Sequence, residues 1–115
     1  MRTLNDYFIT AKIADISTAS STFVGIPDGG RVIKIITALQ GAIGTANGAI
    51  TFEIGGTAMT DSAITVAYSG SAAGDVDTSE PTAANTVSED GTIEMITDGA
   101  STNAIVLYVT FVIRR

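Results

Sequence analysis

Ala104-Ile105-Val106-Leu107-Tyr108-Val109-Thr110-Phe111-Val112-Ile113 is the stretch whose reading decides the fold. Its period of two and its β-branched content mark a strand. Ile105, Leu107, Val109, Phe111 and Ile113 fall on one face, and Val106, Tyr108, Thr110 and Val112 on the other. Both faces are apolar, so both need cover. One can meet the domain's own core. The other is left for a second sheet or a neighbouring subunit.

Working outward, residues 31–40 alternate similarly. Ile33, Ile35 and Leu39 are expected on one face, with Val32, Ile36 and Ala38 on the other. Residues 49–54 place Ile50, Phe52 and Ile54 inward and Thr51 and Glu53 outward. Gly55-Gly56 then supplies a two-residue turn with free φ, and 57–60 returns as a short strand. Further strands are expected over 63–68, 92–97, 7–16 and 21–25, the last leading into the turn Ile26-Pro27-Asp28-Gly29-Gly30. No helix is convincing, since Gly interrupts Ala-containing stretches such as 42–46. Seven to eight short strands with Gly-rich turns predict an all-β fold: one antiparallel β-sandwich or jelly roll spanning 1–115. The length of 115 residues suits one domain.

Residues 69–90 read as a long irregular segment, with a short strand near Asn85-Thr86-Val87. Within it Asp75, Asp77 and Glu80 are the residues that a Ca²⁺ site would use. Glu80 stands where an EF-hand needs its sharp-turn glycine, so the favoured reading is a solvated acidic loop with no metal. No cofactor is expected.

The composition narrows the function classes. There is no His and no Cys, so imidazole chemistry, thiol chemistry, disulfides and thiolate zinc sites are all excluded. Trp is absent too, which weakens sugar stacking. The serines and threonines lack a His partner and a Gly-x-Ser-x-Gly elbow. Paired carboxylates without an aromatic cleft make poor evidence for glycoside cleavage. An enzyme is not expected. Charged residues are only 16 % of the chain, below the usual ~25 %. Either a partner covers part of this charge-poor surface, or it is a small polar surface that stays wet.

Net charge is −6, and its distribution is uneven. The bases are Arg2, Lys12, Arg31, Lys34, Arg114 and Arg115, with none between Ile35 and Ile113. That interval holds Glu53, Asp61, Asp75, Asp77, Glu80, Glu89, Asp90, Glu94 and Asp98. Such acidity argues against nucleic acid as a partner. No apolar run approaches the ~20 residues of a membrane helix, and no targeting segment is recognisable. The chain is expected to act where it is made or in a particle assembled there. Tyr7 and Phe8 follow a short polar start over 1–6. They either begin the first strand or anchor an N-terminal arm that reaches a neighbour.

Several stretches then carry a resemblance. They are Ile26-Pro27-Asp28-Gly29-Gly30-Arg31-Val32-Ile33-Lys34, Thr51-Phe52-Glu53-Ile54-Gly55-Gly56-Thr57-Ala58, Gly70-Ser71-Ala72-Ala73-Gly74-Asp75-Val76-Asp77, Pro81-Thr82-Ala83-Ala84-Asn85-Thr86-Val87 and the terminal strand. Over about three quarters of its length the chain resembles small proteins of tailed-phage and prophage head modules. The shared features are strand and turn residues rather than a catalytic signature. The resemblance implies a capsid decoration, or cement, protein on the exterior of the virion. It would be made in the host cytoplasm, bind the major capsid protein and self-associate as a homotrimer. Membrane and nucleic acid are not expected as partners.

Candidate interface residues follow from three features. The N-terminal arm contributes Leu4, Tyr7 and Phe8. The basic groups contribute Arg31, Lys34 and Arg114, and the second face of the terminal strand contributes Val106, Tyr108 and Val112. The competing reading is a receptor- or carbohydrate-binding module of a phage tail or fibre, with 69–90 as its recognition loop.

Overall fold

A strand apolar on both faces is well placed in the middle of a sheet, where neighbours on both sides pair its backbone. β10 (Leu107–Arg114) takes that place in the computed structural model, which describes residues 5–115. It lies between β1 (Asp6–Ile13) and β3 (Gly30–Leu39), antiparallel to both. β7 (Val76–Ser79) and β8 (Thr86–Val87) extend the far side of β3. The second sheet runs β2 (Ser20–Gly25), β9 (Thr92–Thr97), β4 (Gly48–Ile54), with β5 (Thr57–Ala58) and β6 (Ile64–Val66) both on β4. All pairings are antiparallel, and no helix occurs among the described residues. The result is the expected β-sandwich, with ten strands among the described residues rather than seven or eight.

Between the sheets lie Leu107, Val109, Phe111 and Ile113 of β10, facing Ile50 and Phe52 of β4 and Ile93 and Met95 of β9. Phe52 and Phe111 meet edge to face across this space, with centroids 5.7 Å apart and an interplanar angle of 88°. That geometry sets the positive edge of one ring against the negative face of the other.

Three boundaries differ from the periodicity, each for a local reason. β1 stops at Ile13 instead of 16, because Asp15 makes a tight turn. Its carboxylate accepts from the Ser17 backbone N–H (2.8 Å), from Ser17 Oγ and from Thr18 Oγ1. β10 begins at Leu107 instead of Ala104, although Val106 still accepts from the Gln40 amide at 3.1 Å. In β3 the register slips by one, Val112 facing Lys34 and Ile113 facing Val32. The bulge at Ile33 reverses part of the expected face assignment. Val32, Ile35 and Leu39 face the core, and Ile33 is displaced outward. Asn85 secures this point. Its Nδ2 donates to the Val32 carbonyl at 2.6 Å, and its own carbonyl accepts from the Val32 amide at 2.9 Å.

The segment 69–90 holds the largest correction. β8 lies where the sequence predicts a short strand, near Asn85-Thr86-Val87, but β7 is unexpected, and the start of the segment is tied down as well. Ser71 Oγ both donates to and accepts from the backbone of Ile43, each at 3.0 Å, and Gly74 donates to the Leu39 carbonyl at 2.7 Å. The segment lacked a strand signature because β7 has one large apolar residue, Val76, and that residue faces solvent. The ladder to β3 holds β7, not burial.

Two outcomes test this arrangement. Phe111→Ala removes half of the aromatic pair from a fully buried site, so denaturant unfolding is expected to report a loss of about 3–5 kcal/mol. A loss below about 1 kcal/mol would contradict the central packing role. In β7, burial, reinforced by the charge of Asp75, raises the Asp77 carboxyl above its ordinary 3.8. The folded state thus holds this proton more tightly than the unfolded chain. The group's contribution is most favourable below pH 3.8 and is lost as pH rises through the folded value. Asp77→Asn is expected to melt slightly above the parent at pH 7, with the gap closing on acidification towards pH 3.8. A gap independent of pH would contradict this assignment.

Candidate docking face

Register decides which side chains share the outer face of the β1-β10-β3-β7 sheet, because directly paired residues point the same way. Four rows result. Asp6, Arg114 and Arg31 form the first, and Phe8, Val112 and Lys34 the second. Thr10, Thr110, Ile36 and Thr78 form the third. Lys12, Tyr108, Ala38 and Val76 form the fourth. The hydroxyls of Thr10 and Thr110 touch at 3.0 Å, as this placement requires.

The face is unusually apolar for one that meets solvent. Phe8 is 57 % exposed, Val76 60 % and Tyr108 43 %. Val112 is only 1 % exposed, flanked by Phe8 and Lys34. Small polar threonines fill the middle. A contiguous apolar surface with a charged rim is the usual mark of a protein–protein contact.

The sequence-based candidates separate into groups. Phe8, Lys34, Tyr108 and Val112 come together on this face. Tyr7 points the other way and packs against the core; both residues therefore start β1, and Phe8 alone is presented outward. The Tyr7 hydroxyl is buried near the Asp28 main chain, and its ring lies 5.2 Å from the Arg115 guanidinium. Burial, with the Asp28 charge, pushes this phenol upward. Arg114 stands on the face but is engaged. Nε and Nη2 donate to the two Asp6 carboxylate oxygens at 2.8 and 3.1 Å, and Asp6 raises the guanidinium pKa. Arg31 lies at the far end, and Val106 precedes the strand. Leu4, like most of the 1–6 arm, lies outside the described residues.

Sequence reasoning missed Lys12, Ile36 and Val76. The spacing Phe8, Thr10, Lys12 carried the signal for the first, and Ile36 already shared a face with Ala38. Nothing short of the β3–β7 pairing places Val76.

Two open clefts on the described surface hold no catalytic constellation. One, of about 480 Å³, is lined by Ile9, Gly25, Ile26, Pro27 and Asp90. The other, of about 260 Å³, is lined by Arg31, Ile33, Glu80, Pro81, Thr82 and Asn85. Asp75 uses one carboxylate oxygen to accept from the Ala72 amide at 3.0 Å, while Glu80 belongs to the second cleft. No three carboxylates converge among the described residues.

No known protein family and no curated protein matches the chain. Among solved structures, the fold is similar to a chain in the acidic stable capsid structure of Helicobacter pylori bacteriophage KHP30. That match has a TM-score of 0.60 and 14 % identity, and covers 96 % of this chain and 87 % of the other. A looser likeness links it to a chain of the disulfide-linked pili that form Bacillus endospore appendages, with a TM-score of 0.41, 17 % identity, and coverage of 94 % and 87 %. At these identities the likeness is one of fold: the chain shares its β-sandwich with a protein of a phage capsid.

Proposed function

We propose that this chain is a non-enzymatic structural protein of a phage head. In this reading it is a decoration, or cement, subunit. It sits on the exterior of the virion after synthesis in the host cytoplasm, bridges neighbouring major-capsid subunits and self-associates as a trimer. The observation that carries the reading is the outer face of the β1-β10-β3-β7 sheet, where Phe8, Tyr108 and Val76 stand in solvent. The fold shared with a capsid chain over nearly the whole length of both supports it.

The mechanism is linkage. A subunit that binds the assembled shell, and not its separated components, stabilises the shell by mass action. Repeated copies on a symmetric lattice turn modest individual contacts into avidity. Part of the 69–90 segment that the tail or fibre reading would use for recognition is hydrogen-bonded to the β3 strand and the loop after it, which favours the decoration reading.

Mass spectrometry of purified particles of the encoding phage is expected to find the chain in fixed ratio to the major shell protein. Particles lacking it should release DNA at lower temperature. Absence from the particles would overturn the reading. Tyr108→Asp places a charge on the open face without touching the core. Its circular dichroism should match the parent while affinity for heads falls by about tenfold or more, as loss of an aromatic anchor would cause. Unchanged binding would remove this face from the contact.

A further inference from the structure

We infer that the protein surface docking on the outer face of the β1-β10-β3-β7 sheet is acidic, and that Lys12 and Lys34 select it. This deepens the decoration reading by naming the chemistry of the shell surface.

The charges of the chain are sorted by sheet. All five described bases lie on β1, β3 or β10 or immediately after it: Lys12, Arg31, Lys34, Arg114 and Arg115. The strands of the other sheet carry none. On its outer face Glu53 and Glu94 are direct cross-strand partners, with Phe23 opposite Glu94. Like charges set side by side oppose folding, and no salt bridge among the described residues relieves that pair. The sandwich is therefore polarised from one broad face to the other, with its remaining acids in loops, in β7 and at Asp6 of β1, which Arg114 holds.

Two of the five bases are already neutralised. Arg114 is held by Asp6 and Arg115 by Asp28 at 2.8 Å. Arg31, Lys12 and Lys34 have no salt-bridge partner among the described residues; Arg31 stands in the end row beside Arg114, and the two lysines flank the apolar patch itself. Lys12 and Lys34 occupy diagonal corners of the apolar patch: Lys34 beside Val112 in one row, and Lys12 beside Tyr108 four residues, or two rows, further along the strand. With strands ~4.8 Å apart and ~3.3 Å per residue, their main-chain positions are roughly 16 Å apart. A partner fitting this face has an apolar centre and carboxylates at a matching separation.

The same arrangement argues against two other occupants. A second copy presenting the same face would bring lysines to lysines, with the one carboxylate there already bound by Arg114. Single-stranded nucleic acid would find aromatics to stack on. It would also approach a molecule of net charge −6, so a local acidic protein patch suits the face better than a long polyanion.

The test is binding of the full chain to heads of the encoding phage that lack it, at low and high salt. The double variant K12E/K34E is expected to lose at least about tenfold in affinity, and binding by the parent to weaken as salt rises. The opposite-face variant E53K/E94K, matched in the number of charges changed, should bind heads like the parent. Circular dichroism and melting of both variants establish that they fold. Parent-like binding by K12E/K34E, loss of binding by E53K/E94K, or tight binding of single-stranded DNA by the parent would each overturn the inference. If the parent binds heads but charge reversal has no effect, the decoration reading stands and this inference falls. If the parent does not bind heads, both fall.

Discussion

β10 runs between β1 and β3, and its inner row of Leu107, Val109, Phe111 and Ile113 is where the two sheets meet. The edge-to-face contact of Phe111 with Phe52 joins the layers at their centre. A strand committed so fully to the core still has a second face. There the chain sets Tyr108, Thr110 and Val112, flanked by Phe8 on one side and by Ile36 and Ala38 on the other. Val112 is sealed by its neighbours, but Phe8, Tyr108 and Val76 remain in water. Each fully covered aromatic or aliphatic side chain contributes about 1.5–3 kcal/mol, and this face leaves much of that unrealised until another surface arrives.

The alternation in 104–113 and 49–54 is enough to place both faces of the core, because side-chain direction in a strand follows parity alone. Parity fails where the chain gains a residue. The bulge at Ile33 moves Val32 inward, and only the pairing of β3 with both β10 and Asn85 reveals it. Residues 69–90 were opaque for a different reason. β7 is held by main-chain bonds to β3 and by Ser71, Gly74 and Asp75 at its approach, none of which has a hydrophobic period. The docking face was partly legible. Tyr108, Val112 and Lys34 follow from alternation, whereas the inward turn of Tyr7 and the capture of Arg114 by Asp6 depend on contacts between the two ends of the chain.

The uneven charge distribution along the sequence acquires its meaning in three dimensions. The base-free stretch from Ile35 to Ile113 contains β4, β5, β6 and β9 of the acidic sheet, while the described bases stand on β1, on β3 and at the end of β10. A subunit polarised in this way has a preferred orientation on an acidic support, with its own acidic face turned outward. In the proposed decoration role, outward acids would discourage adhesion to nucleic acid and between particles.

Hydroxyl-radical footprinting of the chain, free and bound to phage heads, examines the covered face directly. Phe8 and Tyr108 should label readily in the free protein and become protected on the head, while Phe23, 64 % exposed on the opposite sheet, labels equally in both states. Protection of Phe23 with continued labelling of Phe8 and Tyr108 would contradict the account.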